Sequence, residues 1–103
     1  MKRIAVAVTV TLALGASGAR ADDVKALFAQ RCASCHGADG KGTTAMGKKL
    51  GAKDLTKDKD DSLAQIAKHI EDGKPPKMVS YKGKLTPEQI DGLAAFIKAG
   101  KFQ

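Results

Sequence analysis

The sequence predicts an all-α domain of three main helices joined by long loops. Three observations predict it. Apolar residues recur at helical spacing in three separate segments, glycine and proline punctuate the chain between them, and no run alternates apolar and polar residues as a half-buried strand does. No repeat or low-complexity tract suggests another organisation.

The N-terminal segment reads as a targeting signal. Lys2 and Arg3 precede an uncharged apolar run, Ile4 to Leu14, and Ala19 and Ala21 place small residues two positions apart before Asp22 and Asp23. That pattern predicts a secretory signal peptide over residues 1–21, cleaved after Ala21. The apolar run is shorter than the roughly 20 residues that cross a bilayer, so no stable membrane insertion is expected after processing. Residues 22–103 then form one domain of about 80 residues, a size at which a protein core is marginal without a staple. Its aromatic residues are Phe28, Tyr81, Phe96 and Phe102, with no tryptophan, so large side chains alone do not readily fill a core. A bound apolar group would.

The formal charge is +7, and removing Lys2, Arg3 and Arg20 lowers it to +4. Every remaining cation except Arg31 is a lysine, and aromatics are sparse, which gives little support for base stacking or bidentate base reading. Nucleic acid is therefore not an expected partner. Dispersed lysines suit fast, salt-sensitive encounter with an acidic protein surface.

The first predicted helix runs from about Asp23 to His36, with Val24, Leu27, Phe28 and Arg31 at helical spacing and Asp22 and Asp23 at its N-terminus, where negative charge is favoured. Five glycines between Gly37 and Gly51 then predict a long irregular loop. The second helix carries Leu63, Ile66, Ala67 and Ile70 on one stripe, with Asp61 or Ser62 to cap its start and Gly73 to close it. Pro75 and Pro76 stop it from continuing. The third begins at Thr86 as N-cap, with Pro87 in the first position and Gln89 completing a capping box. It buries Ile90, Leu93, Ala94, Phe96 and Ile97 and ends at Gly100.

The chain's two cysteines, Cys32 and Cys35, are followed at once by His36. A thioredoxin-like dithiol needs a strand feeding a helix whose N-terminus lowers the thiol pKa, and here the pair ends a helix instead. A zinc site lacks ligands, since the only other cysteine or histidine is His69. A local disulfide closing so short a loop would stabilise little. The remaining reading is covalent haem attachment, for which CxxCH is the signature. Residues at i, i+3 and i+4 share a helical face, so both thiols can form thioethers with the vinyl groups of one haem while the imidazole of His36 reaches the iron.

The second axial position has three candidates outside the signal segment: Met46, His69 and Met78. His69 falls on the polar flank of its helix, and Met46 lies in the glycine-rich loop, where length alone does not exclude it. Met78 is favoured because Pro75 and Pro76 stiffen the extended segment that carries it, so a weak iron–sulfur bond opposes little disorder.

These residues resemble the class I c-type cytochromes, the small bacterial monohaem electron carriers. The resemblance rests on Phe28 four residues before Cys32, on "CASCH", on Leu50 in the following loop, on Met78 before the last helix, and on Leu93 and Phe96 within it. It implies the cytochrome c fold, three main helices with long loops wrapped around one covalently bound haem c. It implies too that the terminal helices cross beside the haem, with Phe28 packed against Leu93 and Phe96. Two positions depart from the pattern. Val24 stands where the family often has glycine, and Lys48 stands where it has a proline whose carbonyl accepts the bond from the proximal imidazole. The carbonyl that orients His36 is therefore open.

The expected function is a soluble periplasmic carrier that shuttles single electrons between respiratory redox partners, with His36 and Met78 both on the iron and no substrate bond made. It is expected to be monomeric and not an enzyme. The alternatives are a haem subunit of a larger redox complex, or a haem enzyme or sensor with an open sixth site. Lysines 41, 48, 49, 53, 74, 77, 82 and 84 fall in the loops expected to frame the haem, either as a docking patch for acidic partners or as ordinary solvated surface.

Overall fold

A computed structural model describes residues 20–102, so nearly all of the predicted signal segment, residues 1–21, lies outside the described residues. The described chain runs α1 (Ala21–Arg31), α2 (Ala33–His36), α3 (Ala45–Leu50), a 3₁₀ segment (Leu55–Asp60), α4 (Leu63–Asp72) and α5 (Pro87–Ala99). No strand occurs among the described residues; Lys74 with Met78 and Lys82 with Leu85 form isolated bridges only.

The helix predicted over Asp23 to His36 is divided at Cys32, which sits at φ −116°, ψ −34°. The reason lies in the carbonyl of Arg31. In a continuous helix it would accept the amide of Cys35, but that amide bonds to Cys32 O at 3.3 Å and Arg31 O accepts the hydroxyl of Tyr81 at 3.0 Å. The break thus turns the CxxCH segment relative to α1.

The glycine-rich segment also differs from expectation, for it contains α3. Thr44 caps that helix by accepting the Gly47 amide, and Gly51 ends it in the left-handed conformation at φ 70°, ψ 39°. Counting glycines as breakers overlooks that Gly51 is a helix stop. Gly47, inside α3, is needed for a different reason: a Cβ there would collide with the Cys35 carbonyl. The small residue lets α3 lie directly on the CxxCH turn.

Helices α4 and α5 start as their sequences predict, each with a complete capping box, Ser62 with Gln65 and Thr86 with Gln89. Ile66 and Ile70 are buried, but Leu63, placed on the same stripe, is 49% exposed. A helical side chain leans over the turn N-terminal to its own Cα, and at the first position of α4 there is no such turn to cover. Helix α5 packs against α1, α4 and the 3₁₀ segment. Leu93 is wholly buried at its centre, within the same apolar cluster as Phe28 and Val24. Phe28 meets Phe96 at a centroid distance of 5.2 Å and Phe102 at 5.4 Å, and Phe96 meets Phe102 edge-on at 5.5 Å. The three phenylalanines therefore gather at the α1–α5 contact, leaving the space beyond the CxxCH turn unfilled by them.

Candidate functional site

That space is a cavity of about 640 Å³. Cys32, Cys35, His36 and Met78 all line it, joined by apolar side chains that include Leu50 and Ile66. Its size and mixture of apolar walls with a few polar groups are those of a cofactor site.

The CxxCH turn is held from behind by backbone bonds. Gly42 N–H donates to His36 O at 2.7 Å, and Gly37 N–H to Ala33 O at 2.8 Å. The Thr44 hydroxyl shares its proton between Ser34 O at 2.8 Å and Cys35 O at 3.0 Å. His36 is buried, and its Nδ1 lies 2.9 Å from Lys53 O. A carbonyl only accepts, so Nδ1 carries the proton and the lone pair resides on Nε2. This is how proteins orient an imidazole that binds a metal.

Both cysteines are free, half-buried thiols. Burial, with a smaller contribution from Cys35, pushes the Cys32 thiol up to about 11. A dithiol oxidoreductase needs the reverse, a lowered pKa. Among the described residues no cluster of three His, Cys, Asp or Glu side chains suits a lone metal ion. Around one apolar cavity stand two thiols able to form thioethers with haem vinyl groups, and an imidazole nitrogen and a thioether sulfur able to bind its iron, a set that fits a haem.

Met78 is half-buried and its backbone is closed into a tight loop, Lys74 N–H to Met78 O and Met78 N–H to Lys74 O, each 2.9 Å. Gly73 makes the loop possible. It sits at φ 61°, and a Cβ there would stand 2.5 Å from Val79 O. The following residues are tied to the end of α4, Ser80 Oγ donating to Glu71 O at 2.6 Å and Lys82 N–H to the same carbonyl at 3.1 Å. Tyr81, whose hydroxyl reaches Arg31 O, is buried, and that burial raises its pKa. Of the other ligand candidates, Met46 is 49% exposed and is not among the cavity-lining residues, while His69 is exposed at the cavity's edge.

Sequence reasoning did not find the orienting carbonyl. Every residue carries one, so no residue type marks Lys53; only the departure at Lys48 signals that the acceptor lies elsewhere. It also missed Asp58, a buried carboxylate whose Oδ1 is 2.7 Å from Lys53 Nζ. That contact raises the Lys53 pKa.

The family model described as cytochrome C oxidase, cbb3-type, subunit III matches residues 19–97. Cytochrome c6 of Nostoc sp. (strain PCC 7120 / SAG 25.82 / UTEX 2576) is 37% identical over 89 residues, covering 84% of this chain and 78% of the relative. Cytochrome c6 of Anabaena variabilis is 38% identical over 71 residues, covering 69% and 80%. Among solved structures, the KustC0563 c-type cytochrome superposes with a TM-score of 0.67 at 34% identity, covering 75% of this chain and 95% of that one.

Proposed function

The chain belongs to the small c-type monohaem cytochromes, proteins with one covalently bound haem c and an all-α cytochrome c fold, and from that premise we propose that it is a soluble periplasmic carrier of single electrons between redox proteins. The observation that carries the reading is the convergence of Cys32, Cys35, His36 and Met78 on one cavity. In this reading Cys32 and Cys35 would hold the haem as thioethers, and Nε2 of His36 and the Met78 sulfur would be the protein's two ligands to its iron. The haem supplies the one-electron Fe(III)/Fe(II) couple. Lys53 O keeps the imidazole in the tautomer that ligation needs, and the Lys74–Met78 loop holds the thioether near the cavity without mobile chain to order. A thioether ligand and a largely apolar surround both favour the ferrous state, which suits electron acceptance from mid-potential donors.

A carrier needs no acid–base group beside the iron, whereas a peroxidase-like enzyme does. Of the Met78 segment's polar side chains, the Tyr81 hydroxyl is committed to Arg31 O, and the rest are lysines and Ser80, which bonds to Glu71 O. Residues 1–21 are proposed to direct the chain to the periplasm and to be cleaved there, the basic, apolar and small-residue blocks supporting this. The test is a visible and near-infrared spectrum in both redox states. Ferric protein should show an iron–sulfur charge-transfer band that Met78→Ala abolishes. Rapid carbon monoxide binding by the native ferrous protein would favour an open sixth site instead. The oxidase-subunit description of the matching family supports a second reading, a haem subunit of a larger complex, which stable co-purification with membrane proteins would establish.

A further inference from the structure

We propose that the ion pair between Lys53 and Asp58 is a positioning device that sets the hydrogen bond from His36 Nδ1 to Lys53 O, and through it the electron donation of His36 to the iron. The proposal rests on the reading of His36 as an axial ligand. Its basis is a continuous set of contacts. Lys53 O accepts from His36 at 2.9 Å, and the same residue's Nζ lies 2.7 Å from Asp58 Oδ1. The two side chains are unequal, Asp58 being 6% exposed and Lys53 56%. A carboxylate so buried needs a compensating partner, and leaving it charged and unpaired is costly. Asp58 therefore constrains where Lys53 can sit, far more than exposed Lys53 requires Asp58.

Asp58 is itself anchored. It belongs to the 3₁₀ segment, whose end is held to α5 by Lys98, with Nζ donating to Asp61 O at 2.6 Å and to Lys59 O at 2.9 Å. Asp61 adds a longer contact to Lys53 Nζ at 3.7 Å. On either side of the Lys53 peptide, Ala52 N–H donates to Gly47 O and Leu55 N–H to Gly40 O, each 2.7 Å. These fix the flanks, and the ion pair holds the residue between them. The Lys53 carbonyl also lies 3.0 Å from where a Cβ on Gly42 would stand, so a side chain at that position would press on the acceptor itself. A positioned acceptor strengthens the N–H···O bond and raises the basicity of the opposite nitrogen, which stabilises ferric iron and lowers the reduction potential.

The experiment uses haem-loaded Asp58→Asn, Lys53→Met and Lys53→Arg proteins; neither substitution of Lys53 removes its carbonyl. The readouts are the proton NMR resonance and solvent exchange of His36 Nδ1–H, and the midpoint potential. Asp58→Asn and Lys53→Met should both raise the potential and speed Nδ1–H exchange, as expected when the bond from the imidazole to its outer partner is loosened. Lys53→Arg should stay close to the native values. Native-like Nδ1–H shift and exchange in Lys53→Met would overturn the proposal, whatever happens to stability, and this variant decides the matter even where Asp58→Asn does not fold. So would potential shifts of opposite sign in the two variants, because a buried charge acting directly on the iron gains weight when Lys53 is removed and vanishes when Asp58 is neutralised. A native spectrum without imidazole ligation would instead refute the reading of His36, a failure visible before any variant is made.

Discussion

The Tyr81 hydroxyl donates to the Arg31 carbonyl at 3.0 Å across 50 residues of sequence. One end of this bond is three residues after Met78, and the other is immediately before Cys32. It thus links the segment carrying the proposed distal ligand to the start of the attachment motif. Tyr81→Phe keeps the ring in place and removes the bond, at a cost of about 1 kcal/mol. In a domain of this size that lowers Tm by about 4–8 °C. The Met78 segment should also open more often, so ferrous Tyr81→Phe should bind carbon monoxide faster than the native protein. Equal rates would mean that the bonds from Ser80 and Lys82 to Glu71 O fix the segment by themselves.

Phe102 closes the aromatic cluster from beyond the end of α5, with its ring 5.4 Å from Phe28 and 5.5 Å from Phe96. It is only 6% exposed. Phe102→Ala should cost about 3–5 kcal/mol in denaturant-induced unfolding, the range for emptying a buried aromatic site. Phe102→Leu should recover much of that. The haem spectrum should change little in either, because Phe102 is not among the residues lining the cavity.

Legibility of the sequence followed the range of the forces involved. Local rules placed the start of α5 at Thr86 and that of α4 at Asp61 or Ser62, of which the fold uses Ser62, because capping residues act within one turn of themselves. The CxxCH motif was legible because its chemistry is fixed by spacing along a single chain segment. The gathering of the proposed site was less so: Met78 could be preferred to Met46 only on loop stiffness, and it is the fold that puts one on the cavity and leaves the other exposed. Three features depended on contacts distant in sequence and could not be read. Cys32 interrupts the first helix because of Tyr81, Gly47 sits within a helix because of Cys35 O, and Lys53 supplies the His36 acceptor because α3 packs on the motif and the chain leaving it passes beside His36.

Gly47 and Gly51 make opposite demands on a methyl group. At Gly47 a Cβ collides with the Cys35 carbonyl and also falls 2.8 Å from Gly42 O. At Gly51 it meets nothing within 4 Å, and only the positive φ of 70° opposes it. Gly51→Ala should therefore cost roughly 1 kcal/mol, the backbone strain of a left-handed alanine. Gly47→Ala has to displace α3 or the CxxCH turn, since both obstacles are backbone. Its expected outcome is a sharp fall in the yield of haem-loaded protein, read as the ratio of Soret absorbance to total polypeptide, while Gly51→Ala stays near the native ratio.

Charge at the cavity mouth should govern encounter with an acidic partner. Lys74 and Lys77 are exposed and line the cavity, whereas Lys25 is exposed on α1 and does not. Lys77→Glu and Lys25→Glu change the net charge equally, so any difference between them reports position. If the lysines of the Met78 segment form a docking patch, Lys77→Glu slows bimolecular electron transfer at low salt more than Lys25→Glu does. The two rates should converge as ionic strength rises past about 0.1 M, where the screening length falls to roughly 10 Å. Stopped-flow kinetics with an acidic redox protein across a salt series measures this directly. Equal slowing by both variants at every ionic strength would assign these lysines to ordinary solvated surface, with partner encounter responding only to the net charge of the molecule.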